Sequence, residues 1–126
     1  MVLDRGAGKV DFGGAVIGWR VDGKRPVGLP RGGRGHEVFD ADKVGANIRL
    51  RHWQPGDRFQ PIGMAVSVKV QDLFTNLKVP PDHRRRRIVA ATAHGEVFWV
   101  EGIRMAERFK VSKSSIRRLQ WRWKRP

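Results

Sequence analysis

Apolar residues occupy alternate positions in "GGAVIGWRVDGK", where Ala15, Ile17, Trp19 and Val21 interleave with Val16, Gly18, Arg20 and Asp22. That period of two predicts a half-buried strand closed at Asp22-Gly23. "HEVFDADKV" reads as a short strand and a turn. "IRLRHW" alternates again, with Ile48 and Leu50 on one face and Arg49 and Arg51 on the other. The spacing then changes. In "SVKVQDLFTNLKVPP", Val70, Leu73, Phe74 and Leu77 stand at i, i+3, i+4 and i+7, which predicts a helix with Ser67 as N-cap, stopped by Pro80-Pro81. Lys69 and Lys78 flank its apolar stripe. "EVFWVEGIRMAERFKV" predicts two strands, Val97 to Val100 with both faces apolar and a second around Glu107 to Val111, preceded by a turn at His94-Gly95. "RLQWRWK" has two readings. As a strand it buries Leu119, Trp121 and Trp123 and displays Gln120, Arg122 and Lys124; as a helix it gathers Ile116, Leu119 and Trp123.

Between the first strand and His36, "KRPVGLPRGGRG" concentrates glycine, proline and arginine without periodicity, as a mobile loop or linker does. A boundary near Gly35 follows. Residues 1–35 are expected to be the end of a preceding domain plus this linker, and residues 36–126 a second, strand-dominated α+β unit with one clear helix and a basic tail.

The chain has 126 residues, enough for a real core, and 40% of them are hydrophobic, which excludes wholesale disorder. Charged residues interrupt every apolar run well short of the ~20 residues that a membrane-spanning helix needs. The first ten residues have no signal-peptide pattern, and there is no cysteine, so disulfides and thiolate metal sites are excluded and a cytoplasmic location is expected. Charge changes the picture most. Twenty-six Lys and Arg against 12 Asp and Glu leave +14, and residues 104–126 alone hold nine basic residues and one acid. So basic a chain points to a polyanionic partner, nucleic acid first and an anionic membrane surface second.

Candidate catalytic chemistry is sparse. His36, His52, His83 and His94 are scattered, with no i, i+4 pair, so no metal is expected. Ser67, Ser112, Ser114 and Ser115 lie in no nucleophile elbow. Asp57, Asp72, Glu96, Glu101 and Glu107 sit among so many arginines that they read as neutralised partners rather than tuned acids or bases. "GAGKV" lacks the spacing and hydroxyl of a phosphate loop. Basic patches remain: the run Arg84, Arg85, Arg86 and Arg87, with Arg49, Arg51 and Arg58 and the tryptophan-interleaved tail, pairs phosphate-matching forks with aromatic surface.

In order along the chain stand "FDADKV", the block "PGDRF-x-P-x-GM" from Pro55 to Met64, "QDLF" and "KVP", and "GE-x-x-WV-x-G-x-R-x-x-E-R-F" from Gly95 to Phe109. Together, over about His36 to Val111, they resemble the C-terminal domain of bacterial tRNA(Ile)-lysidine synthetase, TilS. "FGGAVIGWRV" resembles the end of the domain before it. The resemblance implies a β-sandwich of the type shared with phenylalanyl-tRNA synthetase. It also implies a role in recognising the isoleucine tRNA with a CAU anticodon, whose wobble cytidine the parent ligase converts to lysidine with ATP, Mg2+ and lysine. The catalytic S-G-G-x-D-S loop of that enzyme is absent from this sequence. The chain is therefore expected to be non-catalytic, as a fragment, truncated reading frame or split gene would be, with no cofactor of its own and with tRNA and the catalytic N-terminal domain as partners.

On this reading Arg49, Arg51, Arg58, Lys69, Lys78, Arg84, Arg85, Arg86, Arg87 and Arg104 bind RNA. Pro55, Gly56, Asp57, Phe59, Gly63, Met64, Asp72 and Glu107 shape the motif, with Asp57 orienting Arg58. The sequence departs from the family in having Val66-Ser67-Val68-Lys69 where a Gly-Ser and two lysines are usual, and Pro81 after the KVP where arginine is common. Two other classes stay open: a protein-interaction module with a basic face, compatible with a homodimer, and a membrane-surface domain whose "SIRRLQWRWKRP" tail lies at the interface.

Overall fold

The computed structural model describes residues 6–23, 35–103 and 105–125. The linker residues 24–34 and Arg104 lie outside the described residues.

The chain opens with strand β1 (Ala7–Phe12) and β2 (Ala15–Asp22), an antiparallel hairpin in which Phe12 pairs with Ala15. The two residues between them, Gly13 and Gly14, have φ of 57° and 84°. Two left-handed residues in succession match the right-handed twist of the flanking strands, so the Gly-Gly pair sets this hairpin. The alternation from Ala15 to Val21 appears as expected, but β1 went unread in the sequence, where Gly13-Gly14 between Val10-x-Phe12 and Ala15-x-Ile17 was its signal.

β3 (His36–Asp40) follows and leads straight into a one-turn helix α1 (Ala41–Val44) where a turn was expected. Asp40 causes this. Its Oδ1 accepts from the N–H groups of Asp42 and Lys43 at 3.0 and 3.2 Å, capping the turn, and its Oδ2 accepts from the Ser115 hydroxyl at 2.6 Å. β4 (Ile48–His52), β5 (Arg58–Phe59) and β6 (Val68–Lys69) come next, then helix α2 (Val70–Asn76) and the single-turn α3 (Pro81–Arg84). β7 (Ile88–Thr92), β8 (Val97–Val100), a 3-10 turn at Glu107–Phe109 and β9 (Arg118–Lys124) complete the chain.

These strands form a four-stranded antiparallel sheet in the order β1-β2-β9-β3, a three-stranded sheet β4-β7-β8 and the small pair β5-β6. β8 is buried along its whole length, as the doubly apolar run Val97 to Val100 predicts, and so is β7 beside it. Aromatic rings join the two larger sheets: Trp121 of β9 packs against Phe98 and Trp99 of β8 with centroids 5.6 and 5.5 Å apart, and Phe39 of β3 meets Phe98 at 5.1 Å. Edge-on ring pairs of this kind add to the area they bury. The same core takes in Ile17 and Leu119 on one side and Phe59, Val70, Phe74 and Val79 on the other. The fold is the expected strand-dominated sandwich with few helices.

Four expectations are corrected. The boundary near Gly35 does not separate two sheets: β2 pairs with β9 from Val16↔Lys124 to Asp22↔Arg118, and Ala15 and Ile17 are core residues, so residues 7–22 belong to the same unit as residues 36–125. "RLQWRWK" is a strand between β2 and β3, with Leu119 and Trp121 fully buried, so it is no free tail for a membrane surface. Ser67 caps nothing; Val68 and Lys69 extend as β6, Lys69 holds the N-cap position without a side-chain bond, and Leu77, beyond the last turn of α2, is exposed. Glu107 to Val111 holds a 3-10 turn rather than a strand, because Ala106 and Lys110 each make only an isolated bridge, to Pro61 and Phe39. Among the described residues no helix is long and apolar enough to cross a membrane.

Candidate nucleic-acid interface

β4 runs out at His52, and the next N–H, that of Trp53, donates to the Arg87 carbonyl at 2.9 Å, tying the corner to the arginine run. The chain then turns through Gly56, whose φ of 99° belongs to the left-handed region that glycine enters without strain. Asp57 closes the turn: its Oδ2 accepts from the Gln54 N–H at 2.8 Å, and its two oxygens take both Nη atoms of Arg51 at 2.9 Å. A two-pronged pair with side chains only 28% and 11% exposed is a structural clamp, stronger than a surface ion pair. Asp57 therefore holds Arg51, not Arg58 as expected, and Arg51 is withdrawn from the candidate contacts.

Arg58 leaves the corner on β5 and stands directly opposite Lys69 of β6, with its Nη2 donating to the Ser67 carbonyl at 3.2 Å. Directly paired residues on antiparallel strands share a face, so both exposed cations point the same way. The Asp57 carbonyl accepts from the Val70 N–H at 2.9 Å, which ties the corner to the first residue of α2. Phe74 of that helix is fully buried and meets Trp53 edge-on at 5.4 Å. At the far end, Val79 N–H returns to the Phe74 carbonyl at 2.9 Å around Lys78, which has a φ of 58°. Glycine is the usual residue at such a helix stop; here a lysine takes the left-handed conformation and is exposed. Asp72 is exposed in the first turn of α2, where a negative charge suits the helix end.

The four arginines have four fates. Arg84 donates from Nε to the Val79 carbonyl at 2.8 Å. Arg85 is exposed. Arg86 is exposed and reaches Asp82 at 3.7 Å, an ion pair too open to water to hold it firmly. Arg87 is half-buried over Gly102, where a Cβ would collide with its guanidinium. Arg49 sits away from this group, on the exposed side of β4, beside a groove of about 660 Å3 shared with Val10 and Phe12 of β1. The candidate contacts of this region that stay exposed are thus Arg58 and Lys69, side by side on β5-β6, with Lys78, Arg85 and Arg86 at the end of α2 and around α3.

Behind it, Glu107 holds the second half of the motif. Its Oε1 accepts from the Gly63 N–H at 3.3 Å, its own N–H donates to the Gln60 carbonyl at 2.8 Å, and Lys110 Nζ lies 2.6 Å from Oε2. The Lys110 ammonium first, and the Gly63 N–H second, hold its carboxyl below the usual glutamate range. Gln60 also donates to the Met64 carbonyl at 2.6 Å, while Phe59 is buried and Met64 and Pro55 are exposed. The block Pro55 to Met64 shapes backbone rather than presenting a reactive centre.

One functional brace had no signal in the sequence. Arg125, which reads there as part of a basic tail, donates to both oxygens of the buried Glu101 at 2.9 Å, to the Gly13 carbonyl at 2.8 Å and to the Arg86 carbonyl at 3.2 Å. Glu101 in turn accepts from the Ile88 N–H at 3.1 Å. The carboxylate stabilises the guanidinium charge and raises the Arg125 pKa above its already high ordinary value. His83, Arg86, Arg87 and Arg125 line a cavity of about 330 Å3 with this carboxylate.

With that geometry in hand, a family model described as the TilS substrate C-terminal domain matches residues 48–121, from the start of β4 into β9. This chain belongs to the TilS substrate C-terminal domain family. Among curated relatives, the tRNA(Ile)-lysidine synthase of Clostridium acetobutylicum is 37% identical over 89 residues, 71% of this chain and 19% of that protein. The enzyme of the same name from Clostridium tetani is 40% identical over 79 residues, 63% of this chain and 17% of that one. The chain therefore spans less than a fifth of the length of these relatives. Among solved structures, a TilS C-terminal domain superposes with a TM-score of 0.75 at 22% identity, covering 90% of this chain and 85% of that one. An N-terminal fragment of the phenylalanyl-tRNA synthetase β-subunit from Pyrococcus horikoshii follows at 0.59 and 15% identity, covering 72% and 28%. The first shows the TilS C-terminal fold, and the second a likeness of fold over part of the synthetase fragment.

Proposed function

We propose that this domain grips tRNA for lysidine formation at the wobble cytidine of an isoleucine tRNA with a CAU anticodon. The observation that carries the reading is the side-by-side display of Arg58 and Lys69 on β5-β6, continued by Lys78, Arg85 and Arg86 around α2 and α3. Family membership and the names of the relatives support tRNA as the partner of that surface. An A-form arm presents chiefly phosphates and 2′-hydroxyls, so an array of exposed forks and ammonium groups held by a rigid corner suits its backbone better than its bases. Catalysis, with ATP, Mg2+ and lysine, would belong to a domain bearing the S-G-G-x-D-S loop, and this domain would contribute affinity and placement. Such work belongs in the cytoplasm.

The test is binding of the isoleucine tRNA across a salt series. Replacing Arg85 and Arg86 by glutamate is expected to weaken binding and to flatten the dependence of log K on log salt by about 1.5 to 2, the loss of two phosphate contacts. An unchanged affinity and slope, or wild-type binding no tighter to this tRNA than to heparin at the same salt, would overturn the reading.

A further inference from the structure

The four-stranded sheet turns one face to the core and one away from it, and the face turned away carries a second set of cations. Strand register fixes its members. Lys9 of β1 pairs with Gly18 of β2, Gly18 pairs with Arg122 of β9, and Arg20, two residues along β2, pairs with Gln120. Side chains alternate along a strand, so Lys9, Gly18, Arg20 and Arg122 share the face opposite to Ile17, Trp19 and Trp121. These outward residues line a trough of about 710 Å3. Gly18 is its floor, with a cation directly beside it on each neighbouring strand. Across two strand spacings the Cα atoms of Lys9 and Arg122 stand about 10 Å apart, within the combined reach of their side chains.

Two features separate this trough from an ordinary solvated sheet face. Lys9, Arg20 and Arg122 are exposed and their side chains make no hydrogen bond or ion pair with a described residue, whereas the acid in the trough's lining, Asp22, is taken by Arg118 at 3.2 Å. The glycine is also not demanded by the fold. A Cβ on Gly18 would meet only the Gly8 carbonyl at 3.8 Å and Lys9 Cγ at 3.9 Å, both ordinary contacts, and the backbone there is that of a regular strand. Gly8 shows the contrast, since a Cβ on it would overlap the Trp19 ring. Gly18 costs strand stability relative to alanine and gains nothing in packing; what it does is leave the floor between two cations open.

We infer that this trough is a second RNA contact, in which Lys9, Arg20 and Arg122 hold the phosphodiester backbone of a strand lying over Gly18. The inference rests on the tRNA reading above and adds to it a surface outside the Pro55–Met64 motif. Charge complementarity selects the occupant: three cations with no side-chain partner among the described residues, around an open floor, match a chain of phosphates.

The test uses the full chain and the isoleucine tRNA, with a thermal melt to confirm folding. Lys9→Gln, Arg20→Gln and Arg122→Gln together are expected to weaken binding by tenfold or more and to lower the salt slope by about 2 to 3. Gly18→Glu, which leaves every cation in place, is expected to weaken binding in the same direction. If both variants fold and bind as the wild type does while Arg85→Glu/Arg86→Glu weakens binding, the trough is overturned and the tRNA reading stands. If the trough variants weaken binding and the α3 variant does not, the trough stands and the contacts around α3 are wrong. Wild-type protein that binds no tRNA overturns both. Retention of tRNA binding with loss of binding to phosphatidylserine vesicles would assign the trough to a lipid surface instead.

Discussion

Two basic regions of this domain use their charge in opposite ways. In the motif region, from β4 to the end of the arginine run at Arg87, Arg51 is clamped by Asp57, Arg84 caps the Val79 carbonyl and Arg87 is packed over Gly102, so that three of the nine cations are spent on holding loops in shape. On the outer face of the four-stranded sheet the backbone is held by its ladder, and Lys9, Arg20 and Arg122 are left without such tasks. A loop-rich region needs side chains to satisfy its backbone; a regular sheet does not. Cation count alone is therefore a poor guide to binding surface, and which groups the fold has already engaged decides the matter.

The largest expected effect comes from β9, where a core face and an outer face share one strand. Trp121 is fully buried and packs on Phe98 and Trp99. Trp121→Ala should cost about 3–5 kcal/mol in urea denaturation through the cavity it leaves. Arg122→Gln, one residue on, should change stability by less than about 0.5 kcal/mol while lowering the tRNA salt slope by about 0.7 to 0.9. Comparable losses of stability in the two variants would break the distinction between engaged and free cations.

A smaller effect is expected at the corner. Asp57→Ala removes both prongs of the Arg51 clamp and the acceptor for the Gln54 N–H, and should cost about 1–3 kcal/mol, because Arg51 keeps its charge in a partly buried place without a partner. The neighbouring Arg58→Ala should leave the denaturation midpoint almost unmoved and reduce tRNA affinity. A stable Asp57→Ala protein would show that the corner is held by its backbone turn alone.

Most of the core was legible in the sequence, since period-two and period-3.6 patterns depend on which side chains leave water: Ile17, Val70, Phe74, Phe98 and Trp121 all lie where their spacing puts them. Three things were not legible, each for a physical reason. Strand partners depend on contacts distant in sequence, so nothing in "FGGAVIGWRV" says that β2 pairs with a strand about a hundred residues later and belongs to the same unit. A hydroxyl three residues before an apolar run is a cap only if the chain turns there, and at Ser67 the strand pairing of Val68 with Phe59 prevents it. Side-chain allegiance is the third. Asp57 sits next to Arg58, yet on a chain turning through Gly56 the residue it faces is Arg51. The motif Pro55 to Met64 was therefore readable as a corner but not by which cation it consumes.

The smallest effect lies at Glu107, where the motif region again uses a charge for structure. The Lys110 ammonium and the Gly63 N–H stabilise the ionised carboxylate, so its folded-state pKa lies below the unfolded one. The folded protein binds this proton more weakly than the unfolded chain does. The contribution is therefore complete above the ordinary glutamate pKa and is lost as pH falls through that value towards the lower, folded one. Glu107→Gln should lower stability slightly at neutral pH, where the contribution is complete, and leave the acid limb of the profile slightly less steep, so that the two proteins converge at low pH, with Lys110→Gln reproducing part of the effect. A midpoint-against-pH series in urea for the three proteins measures this. Superimposable acid limbs would mean that Glu107 is held by its backbone bonds, from its N–H to the Gln60 carbonyl and from Gly63 to its Oε1, and that its charge plays no part in keeping the two halves of the motif together.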